Sequence, residues 1–264
     1  MKKYSSVLMA LLLAALMLVG CGTAETPATV AQISQEPSET AQQTTEAPET
    51  TEATGEEEVY EGDASTHYID EIYAEQIERY YIALSQEWNE GQYYENEMCG
   101  MAAAFYEGSP LDNVGFGFAD LDNDGYWELI IGGILNSETD PTVFEIWTLT
   151  EEGPVMLAQS GYRNRYCLVY DQENNAWFVA NEGSNSAANS ASYYLALQDG
   201  SFKVVQGIVF DAIADEKAPW FMAYDLDWDT TNDTPIDEET ALAIMDAYRA
   251  DYTVVEYFPY SLYK

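Results

Sequence analysis

The chain has 264 residues, with 47 Asp and Glu against 9 Lys and Arg, one His and three Cys, giving a formal net charge of -38. Such a charge excludes nucleic acid as a partner held through its phosphates, which requires a basic face to release counterions, and it opposes adsorption to an anionic membrane surface. With 47% hydrophobic and 14% aromatic residues, disorder throughout is excluded too, and a single histidine argues against His-rich metal sites and most His-based acid–base chemistry.

From the N-terminus, Lys2 and Lys3 form a positive start and residues 7–19 are nearly all apolar. That run is shorter than the about 20 residues a membrane span needs and reads as an export signal. It ends in Leu18-Val19-Gly20-Cys21, which resembles the lipobox of bacterial lipoproteins. The resemblance implies cleavage before Cys21 and a diacylglyceryl group on its sulfur. The bilayer would then be a partner through the Cys21 lipid, and the chain would sit extracytoplasmically on the outer face of the bacterial cell membrane. An ordinary secretory signal with a chance Cys, or an N-terminal anchor helix, is the alternative. Residues 1–20 are thus expected to be a signal peptide.

Residues 21–62 are expected to be the lipidated Cys followed by a disordered tether. From residue 22 the stretch is built of Thr, Glu, Ala, Gln, Ser and Pro, with ten Glu and no Lys or Arg. It cannot bury enough apolar surface to offset its ordering entropy. As a flexible coil it would span about 35 Å, and self-repulsion would extend it. Residues 63–264 retain 37 acids against 7 bases and form one domain of ordinary size, large enough for a core without disulfides.

Within that domain, Ile69, Ile72, Tyr73, Ile77, Tyr80 and Leu84 recur at helical spacing, predicting an amphipathic helix over 68–88. A shorter helix is expected over 93–106, interrupted at Gly100. Strands are expected over 115–119, 127–133, 143–150, 154–159, 165–170, 176–180, 191–198 and 202–211, separated by turn signals such as Asp199-Gly200. Residues 182–190, rich in Gly, Ser, Asn and Ala, read as a mobile loop. Ile236-Asp237-Glu238-Glu239 opens a last helix with Asp237 as N-cap, carrying Leu242, Met245 and Tyr248. Strands this closely spaced leave no room for crossover helices. The expected class is α+β, a mainly antiparallel β-sheet flanked by an N-terminal and a C-terminal helix.

The sharpest chemical signal is Asp120-Leu121-Asp122-Asn123-Asp124-Gly125-Tyr126-Trp127-Glu128. Carboxylates at positions 1, 3 and 5 of a tight loop converge, Gly at 6 permits the turn, the carbonyl of 7 points inward and a carboxylate at 9 closes the shell. Hard oxygen donors in that number suit Ca²⁺. The loop begins like an EF-hand but has Ile131 where that motif needs a bidentate Glu, and its flanks read as strands. The strand–loop–strand form resembles the calcium loops of FG-GAP and VCBS-type repeats. By position, that resemblance implies Asp120, Asp122, Asp124 and Glu128 as side-chain ligands and Tyr126 through its carbonyl. All of these come from one loop, so the Ca²⁺ is expected to be structural; an acidic hairpin turn without a metal is the alternative. A propeller would need several copies, and the chain has one clear copy. The layout as a whole resembles lipoproteins of Gram-positive gut-type bacteria with one Asp-rich strand loop after an N-terminal helix, which implies an address and no activity.

Asp225, Asp227, Asp229 and Asp233 repeat the spacing, with Thr230 in place of the turn glycine and less strand-like flanks. They are a possible second metal site, or a solvated acidic loop. Cys99 and Cys167 either form a disulfide or are buried free thiols. His67, beside the tether, reads as a surface residue. The absence of a G-x-S-x-G elbow, an H-E-x-x-H helix and a phosphate-binding glycine loop removes most nucleophilic hydrolases, zinc proteases and P-loop enzymes.

Trp127, Trp147, Trp177, Trp220 and Trp228 either fill the core or stack on sugar rings. The Tyr162-Arg163-Asn164-Arg165-Tyr166 stretch is either a spot for an anionic ligand or local charge balance. The reading is a non-enzymatic binding or interaction protein, its ligand an unidentified protein or glycan. A carbohydrate-binding surface protein is the alternative, and a glycan-acting hydrolase with a carboxylate pair follows it.

Overall fold

The computed structural model describes residues 67–134 and 140–264. The expected signal peptide, Cys21 and the expected tether lie outside the described residues. The described chain is α+β, a large antiparallel sheet with a few helices.

The first predicted helix divides in two. Tyr68–Ile72 forms a wide π-type turn closed by the Tyr73 N–H on the Tyr68 carbonyl, and α1 (Ala74–Ser85) follows. It buries Ile77, Tyr80, Ala83 and Leu84. α1 ends in a Schellman motif: the Trp88 N–H bonds the Ala83 carbonyl at 3.0 Å around a left-handed Glu87. The second predicted helix is a correction. It is α2 (Glu90–Glu95) plus a 3₁₀ turn, Gly100–Phe105. α2 starts in a capping box in which Asn89 and Gln92 exchange side chain-to-backbone bonds of 3.1 and 3.0 Å. A one-turn helix, α3 (Pro110–Asn113), leads into the sheet.

The strands are β1 (Val114–Ala119), β2 (Glu128–Gly133), β3 (Thr142–Thr150), β4 (Gly153–Gln159), β5 (Asn164–Asp171), β6 (Ala176–Ser186), β7 (Asn189–Gln198), β8 (Ser201–Asp211), β9 (Trp220–Ala223), β10 (Thr234–Pro235), β11 (Tyr252–Thr253) and β12 (Phe258–Pro259). Their order is β10-β9-β8-β7-β6-β5-β3-β2-β1-β12. The sheet branches at β3. Thr142 and Val143 pair with β5, and from Glu145 onward the same edge pairs with β4. After the last helix, α4 (Glu238–Arg249), the chain returns to add β11 to β5 and β12 to β1. As predicted, Asp237 caps α4, accepting from the Thr240 N–H at 2.7 Å. Ala241, Ile244, Met245 and Tyr248 are buried and Leu242 is exposed.

The expected loop at 182–190 is a second correction. β6 and β7 run through it as a hairpin, paired out to Ser186↔Asn189. Its Ser, Asn and Gly composition resembles a loop, but ladder bonds use only backbone, and Asn181 adds side-chain bonds to Asn164 and the Arg165 carbonyl.

The sheet is covered on both faces, so its central strands are apolar runs rather than alternating patterns. Leu129 and Ile131 face a cluster with Ile77, Tyr80, Tyr93 and Phe144 under α1 and α2. Ile130 faces a second cluster with Val143, Ile146, Val179 and Leu195. A third joins α4 to Val169, Phe178, Tyr194 and Ile208, with Tyr194 and Tyr248 stacked 3.5 Å apart.

Candidate metal centre

The Asp120 loop is the connection between β1 and β2, which pair in strict register from Val114↔Gly133 to Ala119↔Glu128. A hairpin this rigid fixes both ends of the loop. The loop itself turns through two left-handed residues, Asn123 at φ 60° and Gly125 at φ 91°, the second in the region only glycine adopts without strain. Leu121 is 3% exposed and joins the second core cluster, pinning the loop's start to the sheet.

This geometry brings one ligand oxygen from each of Asp120, Asp122 and Asp124 within 4.8 Å of one another. The carboxylates are oriented by backbone N–H groups. Asp120 accepts from Asp124 and Gly125, both at 3.1 Å, Asp122 accepts from Asp124 at 3.3 Å, and Asp124 accepts from Tyr126 at 2.7 Å. Burial, then the neighbouring charges of Asp124 and Asp120, raise the Asp122 carboxyl above its ordinary value. Three like charges held this close favour a countercharge, and their hard oxygens suit a divalent cation. The trio can therefore hold a metal ion.

Glu128, expected as a ligand, is not in that converging group. It is 2% exposed, and its two oxygens accept from the Leu121 N–H at 2.8 Å and the Thr148 hydroxyl at 2.9 Å. Burial pushes its carboxyl up to about 7, against the pull of those two donors and with a further push from Asp122 and Asp124. In this structure Glu128 braces the loop from beneath. The Tyr126 ring is exposed.

A second brace comes from the start of the domain. The Tyr68 hydroxyl accepts from the Trp127 N–H at 3.3 Å, and the Tyr73 hydroxyl donates to the Trp127 carbonyl at 2.9 Å. The Tyr68 and Trp127 rings stack 5.2 Å apart. Sequence reasoning missed Thr148, Tyr68 and Tyr73 because nothing local marks them. Their link to the loop exists only once helix and strands have packed.

The other expected site residues are dispersed. Asp225, Asp227, Asp229 and Asp233 lie between β9 and β10, which are paired strands, so the flanks are more strand-like than the sequence suggests. The four do not form a converging group, the Asp120 trio alone doing so among the described residues. Asp229 accepts from the Thr231 N–H at 3.0 Å and the Thr231 hydroxyl, which holds its carboxyl below the usual range. Burial and then the charges of Asp225, Asp227 and Asp229 raise Asp233.

Cys99 and Cys167 are buried free thiols in different core clusters. Of the two states open from sequence, the structure has the unbridged one. The Cys99 thiol donates to the Ser160 carbonyl at 3.1 Å, and burial pushes both thiols up to about 12.

Trp127, Trp147, Trp177, Trp220 and Trp228 are buried or half-buried. In the basic stretch Arg165 lies 3.7 Å from Asp140, and the Tyr162 hydroxyl lies 3.4 Å from Glu90. His67 is exposed, 3.1 Å from Glu71. The buried Glu145 accepts from the Tyr80 hydroxyl (2.7 Å), the Cys99 N–H (2.9 Å), the Trp147 indole (2.9 Å) and the Gln159 amide (3.2 Å), which commits it to the core.

No protein family matches the chain. No curated protein and no solved structure is significantly similar to it.

Proposed function

We propose that this protein is a lipid-anchored extracytoplasmic lipoprotein whose domain is set by a structural Ca²⁺ ion and acts by binding rather than catalysis. The observation that carries the calcium reading is the convergence of Asp120, Asp122 and Asp124 on a strand–loop–strand hairpin. Those three carboxylates and the Tyr126 carbonyl would hold the ion, which would neutralise the loop and lock β1 to β2. All the donors come from one loop, an arrangement suited to rigidity rather than to presenting an open coordination position to a substrate. The lipid anchor rests on Leu18-Val19-Gly20-Cys21. Among the described residues no helix is long and apolar enough to cross a membrane.

Thermal unfolding in EDTA, then with Ca²⁺ titrated through the millimolar range, tests the calcium reading. A ligand that binds only the folded state raises the midpoint, and extracellular modules bind Ca²⁺ at about 10⁻⁴–10⁻³ M. The midpoint is expected to rise, and Asp122→Ala with Asp124→Ala to abolish the rise. No shift at about 10 mM, ten or more times that range, would reduce the loop to an acidic turn. For the anchor, Cys21→Ser is expected to release the processed chain from membranes. Retention of that variant on membranes after signal processing would refute lipidation.

A further inference from the structure

The Asp225 loop repeats the Asp120 loop in more than spacing. Both close a hairpin of paired antiparallel strands, β1 with β2 and β9 with β10. Both carry a left-handed residue at position 4, Asn123 at φ 60° and Trp228 at φ 64°. In both, the position 5 N–H bonds the position 3 carboxylate, at 3.3 Å from Asp124 to Asp122 and 2.8 Å from Asp229 to Asp227. In both, the position 7 N–H bonds the position 5 carboxylate, at 2.7 Å from Tyr126 and 3.0 Å from Thr231. A tryptophan at positive φ is costly. Its ring accounts for it, packing on the second core cluster and closing over Gly183, where an added Cβ would lie 3.0 Å from the indole.

A separate observation lies beneath this loop. Tyr193, on β7, is 1% exposed, and its hydroxyl has no hydrogen-bond partner. Its ring crosses Gly207 on β8 toward Ala223, the end of β9 from which the loop leaves, and lies 6.4 Å from the Trp228 ring. The charges of Asp233, Asp225 and Asp227 act on its hydroxyl. A buried hydroxyl without a partner marks a place where a water or an ion-bound group belongs. We propose that the Asp225 loop is a second divalent-cation site, with Asp225, Asp227 and Asp233 as ligands and the Tyr193 hydroxyl donating to a coordinating carboxylate or to a water on the ion. Asp229, committed to Thr231, shapes the loop. The proposal extends to this loop the cation reading given to the first.

The two sites differ in readiness. Asp120 folds over two backbone N–H groups, whereas Asp225 accepts only from Asp227, at 3.4 Å. Position 6 is Gly125 at φ 91° in one loop and Thr230, outside the left-handed region, in the other. The second set of carboxylates must close around its ion, so this site is the weaker of the two.

Calorimetric titration of the full-length chain in detergent with CaCl₂ tests this. Two calcium ions are expected per chain. Asp122→Asn with Asp124→Asn should leave one weak site, and Asp227→Asn with Asp233→Asn should remove that weak site alone. Tyr193→Phe, which keeps the ring in the core, should weaken it by about tenfold, the usual effect of losing a partner behind a ligand. One ion per chain, with binding by the Asp227→Asn, Asp233→Asn variant equal to that of the parent, overturns the proposal and leaves the first site standing. Binding that survives unchanged in the Asp122→Asn, Asp124→Asn variant and disappears in the other overturns the reading of the first loop and keeps this one. No binding overturns both.

Discussion

Between β1 and β2, the Asp120 loop is gripped from three directions: Leu121 anchored in the core, Glu128 tied to Leu121 and Thr148 from below, and Trp127 held at both its N–H and its carbonyl by Tyr68 and Tyr73. Between β9 and β10, the Asp225 loop is held by the Trp228 ring, above a tyrosine hydroxyl that has no partner. The aspartate spacing is the same in both, and only the first set converges. Carboxylate spacing supplies donors; convergence in the absence of an ion requires rigid support from elsewhere in the fold.

The largest test of that contrast removes the support without touching the trio. Glu128→Ala leaves the Leu121 N–H and the Thr148 hydroxyl buried without their acceptor, which should cost about 2–3 kcal/mol, and it should make the first loop resemble the second. Chemical denaturation in EDTA reads the stability loss. Calcium titration should show affinity falling by about 10-fold or more. Unchanged affinity would mean the trio is organised by its own backbone bonds alone.

The same carboxylate gives the first loop a pH dependence that the Asp225 loop should lack at this magnitude. Burial raises Glu128 from an ordinary 4.5 to about 7 in the folded state. The folded protein therefore takes up this proton more readily than the unfolded chain. The charged form is the disfavoured one, so metal-free stability should be highest below about pH 4.5 and fall as pH rises through about 7. The full difference is on the order of 3 kcal/mol, and Glu128→Gln should flatten most of the slope. A slope as steep in Glu128→Gln as in the parent would assign it to general repulsion in this acidic chain.

Tyr68→Ala probes the brace at the domain's first turn. It removes the stacked ring and the acceptor of the Trp127 N–H, for an expected loss of about 1–2 kcal/mol. Tyr68→Phe should recover the stacking share. The equivalent truncation beside the second loop, Tyr193→Phe, removes a hydroxyl with no partner and should cost less than about 1 kcal/mol in EDTA.

These contrasts also show what was legible in the sequence. The aspartate spacing lies within nine consecutive residues and reads directly, whereas Thr148, Tyr73 and Tyr68 reach their partners in the loop from 20, 54 and 59 positions away. The α+β class and the strands β1 to β8 follow from apolar runs and turn residues. β10, β11 and β12 are two residues each, too short to carry a period, and exist because a partner strand is already there. The β6–β7 hairpin was hidden by a loop-like composition. The helix ends were hidden for a different reason.

α1 and α2 both stop in Schellman motifs built on glutamates, Glu87 at φ 49° and Glu97 at φ 55°. In each, the following residue bonds back to the turn before, Trp88 to Ala83 at 3.0 Å and Met98 to Tyr93 at 2.9 Å. Glycine is the usual residue at that position, so its absence left no stop signal. A left-handed glutamate costs about 1 kcal/mol, while glycine gives up part of that gain through the entropy of the unfolded chain. Glu87→Gly and Glu97→Gly should therefore each raise stability by less than about 1 kcal/mol, read as a small upward shift in the denaturation midpoint. Each also removes a negative charge from a chain of -38, so Glu87→Gln and Glu97→Gln separate the two effects: a gain from Gly that Gln does not reproduce is conformational, and an equal gain from both is electrostatic.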